Sequence, residues 1–302
     1  MKTVIISGGT GAIGSLLSRS LANEGYRVII LTRKKTHPPV HHNCAFSYWN
    51  PDTGDTDSQI YAEADCIIHL AGANIAEKKW TDKRKQIITQ SRLHSLATIA
   101  KGLKAASSKK PGIIIASAIG YYGYDQPGKI FHEDDQPGRG FLAEVCIQHE
   151  AAARELFDGH RLVMLRTGVV LDKHSGFYKA VAQSLKYRVA VIFGSGRQMV
   201  SWIHIHDLCQ IYIFALKNTD MQGVFNACAP HPASLKEITV SMAKIHCGFF
   251  FIKISVPAFM LKLMLGRLAE EALLGTNNVS AQKLIEQGFE FRYPSLNMAI
   301  EG

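Results

Sequence analysis

The sequence lacks the cysteine spacing that would mark a disulfide framework or a zinc site. Its six cysteines include no C-x-x-C pair, and no secretory segment precedes them. Closely spaced cysteine pairs are the usual sign of zinc ligands, and disulfide frameworks belong to secreted chains. We therefore expect no bound metal, no disulfide and a reducing compartment.

A long apolar run is also missing. The most apolar stretch, residues 249–265, is interrupted by Lys253, Pro257 and Lys262, whereas a membrane span needs about 20 apolar residues. Met1 and Lys2 lead directly into a strand pattern, which leaves no place for a signal or transit peptide. The expectation is a cytoplasmic protein with no membrane partner.

Acidic residues are the scarcer charged type. The chain has 25 acidic and 34 basic residues and a net charge of +9, which suits an anionic partner. The basic residues are scattered, and no aromatic groove pattern accompanies them, so nucleic acid is not the expected partner. A small ligand that carries phosphate groups satisfies the same charge balance.

Strand and helix patterns alternate along the first half of the chain. Buried-strand patterns are followed by helical periodicity, and parallel strands require such crossover helices. The predicted strands are 3–7, 27–32, 66–70, 112–117 and 161–166. The predicted helices are 15–24, 80–106, 142–157, 178–188, 206–216, 234–245, 256–274 and 281–287.

These patterns predict an α/β fold. We expect a Rossmann-type doubly wound parallel sheet over residues 1–171, to which later residues return. Residues 172–302 are expected to form a smaller C-terminal α+β lobe that binds substrate.

A glycine-rich turn, GGTGAIG, begins at residue 8, after the first predicted strand and before the first helix. Gly8 permits a tight turn, Gly11 lets the backbone approach a pyrophosphate, and Gly14 lets helix and strand pack closely. Thr10 and Ile13 complete the loop, whose free N–H groups at the helix start attract an anion. This context predicts a dinucleotide-binding loop, with an ordinary glycine turn as the alternative.

The second predicted strand ends in Thr32, Arg33, Lys34 and Lys35. A site that prefers NAD carries Asp or Glu here for the ribose hydroxyls. The Arg33 guanidinium can instead hold a 2′-phosphate, which a carboxylate would repel. The pattern favours NADP(H), and a solvated basic turn is the alternative.

The third predicted strand ends in small residues, Ala71 and Gly72, after Leu70. A wall beneath adenine and ribose needs such residues, because the backbone must approach the ligand closely. An ordinary buried strand is the alternative interpretation.

At this point the sequence resembles the short-chain dehydrogenase/reductase superfamily, and more closely its atypical nucleoside-diphosphate-sugar epimerase-like family. The resemblance covers nearly the whole chain. The matching motifs are GGTGxxG at 8–14, LAGANI at 70–75, SR at 91–92, SAIGYYG at 117–123, LRTGVVL at 165–171, GSGRQ at 194–198 and WIHI at 202–205. The family also has a small C-terminal domain of unassigned role, which residues 281–293 resemble.

The resemblance implies a set of dinucleotide contacts. It assigns them to Thr32 and Arg33, to Leu70 and Ala71, to Arg92, and to the turn that includes Gly168 and Val170. Taken by itself, Arg92 is a lone cation in an amphipathic helix, for which a surface salt bridge is the simpler interpretation.

The Tyr-x-x-x-Lys pair that active superfamily members use for proton transfer is absent. The tyrosine position corresponds to Leu142 and the lysine position to Cys146, and close relatives also have cysteine there. Cys146 is a tentative catalytic residue that needs a nearby cation to become a thiolate, and core filling is the alternative. Ser117 is the other tentative catalytic residue: it lies at a strand end and matches the superfamily serine that bonds substrate, although backbone contacts could satisfy it instead.

The remaining candidates are expected to bind substrate. Tyr121 follows Ser117 and could serve as an acid, although packing aromatics are commoner. Arg197 and Gln198 lie in a glycine-relieved polar loop, where Arg197 suits a phosphate or carboxylate. His204 has an unperturbed pKa near neutrality, with a backbone-bonded helix-start residue as the alternative.

Two functional hypotheses follow. One is an NADP(H)-dependent oxidoreductase or epimerase-like enzyme acting on a small polar or nucleotide-linked substrate. The other is a protein that binds NADP(H) as a sensor or structural ligand without turnover, which the missing tyrosine and lysine favour.

Overall fold

The computed structural model describes residues 1–34, 41–106 and 110–302. The first half contains β1 (Thr3–Ser7), α1 (Ala12–Asn23), β2 (Arg27–Thr32), β3 (Cys44–Asn50), β4 (Asp55–Thr56), α2 (Gln59–Ala62), β5 (Cys66–His69), α3 (Asp82–Ala106), β6 (Gly112–Ala118), a 3₁₀ turn (Ile119–Tyr122), β7 (Asp125–Phe131) and α4 (Phe141–Leu156).

The second half contains β8 (Leu162–Thr167), β9 (Val169–Leu171), α5 (Gly176–Leu185), β10 (Val189–Phe193), β11 (Met199–Val200), β12 (Trp202–His204), α6 (Ile205–Lys217), β13 (Gly223–Ala227), β14 (Ala233–Ser234), α7 (Leu235–Cys247), β15 (Ile252–Val256), α8 (Ala258–Leu265), a π-helical segment (Ala269–Leu273), β16 (Thr276–Val279), α9 (Gln282–Glu286) and α10 (Leu296–Glu301).

The main sheet has the strand order β13-β8-β6-β5-β1-β2-β3-β4. Its pairs are parallel except the last, β3 with β4. The order reverses at β1, which has β2 on one side and β5 on the other. In such sheets, ligands bind at the carboxyl ends of the strands beside the reversal. The glycine turn after β1 and residues 70–72 after β5 both lie there.

The core forms two layers because alternate residues of each strand face opposite sides of the sheet. Val4 and Ile6 belong to one apolar cluster, whereas Ile5 belongs to the other. The first layer packs with α1 and α6, and the second with α3 and α4. This arrangement confirms the predicted Rossmann-type α/β class.

The C-terminal residues do not pack as an isolated unit. Leu284 and Phe289 are buried in the same cluster as Val4, and β13 returns to the edge of the main sheet. β16 pairs with β7 and β11. The division at residue 171 stays a prediction, and residues on both sides of it contribute to one core.

The predicted helix over 256–274 is helical over most of its length but is not one continuous α-helix. Val256 ends a strand, and α8 stops at Gly266, whose φ of +61° lies in the left-handed region that glycine adopts without strain. The chain then forms the π-helical segment. Within the described residues, no helix is both long enough and apolar enough to cross a membrane.

Candidate active site

The glycine turn has the geometry of a close-packed loop. Gly8 has a φ of +73°, and its carbonyl accepts a 3.0 Å hydrogen bond from the Gly11 N–H. A Cβ atom at Gly14 would lie 2.2 Å from the Gly8 oxygen and 2.6 Å from the Gly9 Cα. The loop therefore has no room for a side chain at residue 14.

The outer surface of the turn is open. Thr10 and Gly11 are exposed and Ile13 is half-buried. Gly11 is the N-cap of α1, and no side chain caps that end. The N–H groups that begin α1 are therefore available to an anion.

The end of β5 lies against this turn. A Cβ atom at Gly8 would be 2.9 Å from the Ala71 nitrogen and 2.9 Å from the Leu70 carbonyl carbon. One at Gly72 would be 3.1 Å from the Arg92 guanidinium carbon. The structure thus brings the glycine turn, residues 70–72 and Arg92 into one continuous region.

Arg92 is a half-buried cation. Its guanidinium donates to the carbonyl oxygens of Ile88, at 2.9 Å, and Ala73, at 3.3 Å. No carboxylate pairs with it among the residues that the structure describes. Burial lowers its pKa. Because desolvated charges in proteins are usually paired, Arg92 fits a site for an anionic ligand.

The end of β2 presents one buried and one exposed side chain. Thr32 is buried, and its hydroxyl accepts a hydrogen bond from the Lys34 N–H at 3.2 Å. The Arg33 side chain is 72% exposed, and its ion pair with Asp52 spans 4.0 Å. Such an exposed pair is weak and leaves the guanidinium accessible. Lys35 lies outside the described residues.

The turn after β8 is packed tightly. A Cβ atom at Gly168 would lie 2.7 Å from the Ser201 carbonyl oxygen. Val170 pairs with Ile203 where β9 runs beside β12. Residue 168 therefore has no room for a side chain, and the backbone of this turn lies directly against that of Ser201.

Ser117 belongs to a buried network. Its hydroxyl donates to Glu150 at 2.8 Å, and the Arg166 guanidinium donates to both Glu150 carboxylate oxygens at 2.9 Å. Arg166 also donates to the Tyr122 hydroxyl at 2.9 Å. Burial opposes ionisation of Glu150, but its bonds to Arg166 and Ser117 outweigh that effect and lower its pKa. The network fixes α4 to the sheet.

Tyr121 packs against the same arginine. The Arg166 guanidinium carbon lies 3.4 Å from the centre of the Tyr121 ring, which is a cation–π contact. The Tyr121 and Tyr122 rings meet edge to face at 5.4 Å. Neither Tyr121 nor Ser117 lines the cavity beside Cys146.

A cavity of about 270 Å³ opens between the 3₁₀ turn, the start of α4 and the π-helical segment. Leu142, Cys146 and Gly168 line it. The Cys146 thiol is buried, and its sulfur lies 3.7 Å from the Ala118 carbonyl oxygen. Burial and the Glu150 charge raise the pKa of Cys146 to about 11. This thiol is therefore protonated at neutral pH.

Two histidines are buried beside each other, His69 at the end of β5 and His149 on α4. The His69 and His149 rings are 5.7 Å apart, and the Nε2 atom of each is buried without a partner among the described residues. Burial, together with the Arg92 charge, lowers the pKa of His149 to about 4. Burial lowers the pKa of His69 well below its ordinary value as well.

The polar loop residues do not line this cavity. Gln198 donates to the carbonyl oxygens of Phe193 and Leu273 at 3.0 and 2.9 Å, which ties β10 to the π-helical segment. Arg197 is exposed. None of Arg197, Gln198 and His204 lines the cavity.

His204 caps the first turn of α6. Its Nδ1 accepts from the His206 N–H at 3.3 Å, and its ring lies 3.9 Å from that of Tyr293. Burial and the nearby His206 lower its pKa to about 4. A neutral, capping imidazole matches the backbone-bonded alternative.

Residues 4–228 match the model of the NAD-dependent epimerase/dehydratase family. The chain belongs to this family. Residues 256–301 match a domain of unknown function, DUF1731. These matches confirm the predicted resemblance, including the C-terminal domain.

Three known proteins illustrate the likeness. An epimerase family protein of Staphylococcus aureus is 31% identical, over 100% of this chain and 98% of the relative. The crystal structure of human epimerase family protein SDR39U1 (isoform 2) with NADPH is 26% identical, with a TM-score of 0.85 over 99% of this chain and 98% of that one.

The third shares the fold alone. UDP-glucuronic acid 4-epimerase from Bacillus cereus, solved with UDP-glucuronic acid and NAD, is 19% identical. Its TM-score is 0.78 over 99% of this chain and 96% of that one.

The cavity beside Cys146 is also lined by two charged residues that the sequence did not point to, Arg139 and Glu271. The Glu271 carboxylate accepts hydrogen bonds from the Phe141 and Leu142 N–H groups, at 3.1 and 2.9 Å. Its partners are about 130 residues away in sequence, so no local pattern could have revealed the contact. The described residues include no metal-binding cluster.

Proposed function

We propose that the protein binds NADP(H) and uses it in an oxidoreductase or epimerase reaction on a small substrate. Arg92 is the observation that carries this proposal. A half-buried guanidinium without a carboxylate partner among the described residues lies beside a glycine turn with free helix-start N–H groups. A dinucleotide pyrophosphate supplies the negative charge that both features require.

The residues present fit this cofactor. The turn would hold the pyrophosphate, because Gly8 and Gly14 allow its close packing and Gly11 presents its backbone without a side chain. Ala71 and Gly72 would lie beneath the adenosine half. These contacts would suit NAD and NADP equally.

Arg33 supports NADP(H) over NAD(H). Its side chain is exposed, makes only the 4.0 Å ion pair with Asp52 within the part of the chain that the structure describes, and follows the strand that ends beside the expected adenosine ribose. A guanidinium there would hold a 2′-phosphate. The structure of the human relative with NADPH is consistent with this choice.

The cavity beside Cys146 and Gly168 is the proposed place of reaction. A bound nicotinamide supplies hydride exchange with a carbon atom of the substrate. The apolar walls exclude water, and the protonated Cys146 thiol is a group that could donate a proton there, but with a pKa of about 11 it is not a thiolate nucleophile.

Binding without turnover is the second candidate. Leu142 stands where the superfamily has its proton-transferring tyrosine, and this side chain cannot transfer a proton. Ser117 donates its hydrogen to the buried Glu150 and does not face the cavity. Both observations favour a sensor or structural role for NADP(H).

One experiment separates the candidates. Purified protein is titrated with NADPH and then incubated with panels of carbonyl compounds and nucleotide sugars, while the absorbance of NADPH is followed. Binding together with substrate-dependent loss of absorbance is expected for an enzyme. Binding without any turnover across the panels would favour the sensor, and no binding would refute both.

A further inference from the structure

The cavity beside Leu142 has one wall made by the C-terminal domain of unknown function. Glu271, Ala272 and Gly275 supply this wall. The inference drawn from it rests on the function proposed above and concerns the class of substrate.

Glu271 is the charged group set most deeply in that wall. It is 7% exposed, and each of its two oxygens accepts one N–H group from the first turn of α4. Gly140 leaves space for it, since a Cβ atom at residue 140 would lie 2.9 Å from Glu271 Oε2. The carboxylate is thus fixed in position before any substrate arrives.

The carboxylate retains hydrogen-bonding capacity. Two carboxylate oxygens offer about four lone-pair sites, and the α4 N–H groups use two of them. Glu271 also lines the cavity, and a donor group of the substrate proposed below would occupy these remaining sites. A hydroxyl group that bonds a carboxylate makes a stronger hydrogen bond than one that bonds a neutral acceptor.

The other walls are largely apolar. Ile75, Val145 and Val169 face the cavity from three different parts of the chain. Its volume of about 270 Å³ lies just below the ~300–1,000 Å³ that small-molecule sites commonly occupy. A buried carboxylate in such a space repels phosphate and carboxylate groups. These properties disfavour an anionic group beside Glu271, whereas the exposed Arg139 lines another part of the cavity.

We propose that the cavity binds a small, uncharged, mainly apolar substrate through a hydroxyl group that donates a hydrogen bond to Glu271. The C-terminal domain thereby supplies the polar recognition group of the site. Glu271 also positions α4, the helix that carries Leu142 and Cys146.

The test compares two probes of similar size, cyclohexanol and fluorocyclohexane, of which only the first can donate a hydrogen bond. Their affinities are measured by ligand-observed NMR, with and without NADPH, on the wild-type protein and on Glu271→Gln and Glu271→Met. Glu270→Met is the matched control, because Glu270 pairs with Lys262 at 2.8 Å and does not line the cavity. Ala272→Phe fills the cavity mouth and locates the probes.

We expect the wild-type protein to prefer cyclohexanol at least about tenfold, the size of one hydrogen bond to a charged group. The preference should shrink in Glu271→Gln, which keeps one acceptor oxygen, and disappear in Glu271→Met. Glu270→Met should retain it, and Ala272→Phe should bind neither probe. Loss of the α4 cap alone would change both affinities equally and leave their ratio intact.

Three results would overturn the proposal. They are an unchanged ratio in Glu271→Met, tighter binding of cyclohexanecarboxylate than of cyclohexanol, and the absence of probe binding to a wild-type protein that binds NADPH. Failure to bind NADPH would overturn the proposed function instead, while the probe ratio would still decide the role of Glu271.

Discussion

At the residue scale, the three glycines of the turn act for different physical reasons. Gly14 is fixed by packing, since its Cβ would overlap the Gly8 oxygen at 2.2 Å. At Gly11 the φ is −78°, and a Cβ would meet its nearest neighbour at an ordinary 3.4 Å. A methyl group at residue 11 would therefore disturb only a bound ligand.

This difference predicts opposite outcomes for two similar substitutions. Gly14→Ala should lower the free energy of unfolding by about 1–3 kcal/mol through overpacking and should weaken NADPH binding. Gly11→Ala should change the unfolding free energy by less than about 0.5 kcal/mol yet weaken NADPH at least about tenfold. Urea denaturation and calorimetric titration measure the two effects. Equal NADPH affinity in Gly11→Ala and the wild type would contradict the loop assignment.

The buried His149 predicts a pH dependence of stability. Its pKa falls from 6.5 to about 4 in the folded protein, so the unfolded chain takes up the proton first as the pH decreases. Stability should therefore decline between about pH 6.5 and pH 4. His149→Leu cannot be protonated at this position and should make this decline smaller in urea denaturation, while His69 and His204 keep their own contributions. An identical pH dependence in the variant would show that His149 is not desolvated.

The positions of the residues expected to bind the cofactor could be predicted from sequence because they are local. The glycine turn and Arg33 each lie immediately after a strand, where the fold fixes their place. The strand-end position of Ser117 predicts a contact with substrate. In the structure its hydroxyl bonds Glu150, which lies on a helix 33 residues further along the chain. The contact between Glu271 and the start of α4 joins residues about 130 positions apart, so no sequence periodicity could predict it.

At the element scale, α4 is attached to the sheet by one buried ion pair. Arg166 is 2% exposed and Glu150 is fully buried, whereas Arg154, 51% exposed, reaches the same carboxylate from solvent at 3.2 Å. The two arginines provide a matched comparison on a single acceptor.

Arg166→Met should lower the free energy of unfolding by about 3–5 kcal/mol, because the Glu150 carboxylate is left buried without compensation. Arg154→Met should cost less than about 1 kcal/mol, since exposed pairs contribute little. Urea denaturation of both variants measures the difference. Equal losses would mean that the network does not anchor α4.

Strands of the main sheet were predictable where their residues are continuously apolar. β1 and β2 match the predicted ranges, β6 extends one residue further, and β8 is displaced by one residue at both ends. The predicted helix over 256–274 is helical over most of its length, but it starts two residues later and is broken at Gly266. Gly266 was the local signal that the helix ends.

At the scale of the whole molecule, the C-terminal domain packs into the Rossmann core. Leu284 is fully buried there, and its neighbour Ile285 is 41% exposed. Leu284→Ala should lower the unfolding free energy by about 2–5 kcal/mol, and Ile285→Ala should cost less than about 0.5 kcal/mol.

We expect circular dichroism and tryptophan fluorescence to report one coincident transition for each variant, shifted as a whole. A separate early transition in Leu284→Ala would show instead that the C-terminal residues unfold independently of the sheet.

The affinities of the protein for NADPH and NADH decide whether it binds a nicotinamide cofactor and prefers NADP(H). Calorimetric titration of the wild-type protein should show NADPH binding at least about tenfold tighter than NADH, the contribution of a charged hydrogen bond. Arg33→Glu should weaken NADPH far more than NADH and remove the preference. Equal affinities in the wild type, or equal losses for both cofactors in Arg33→Glu, would contradict the assignment of Arg33 to the 2′-phosphate.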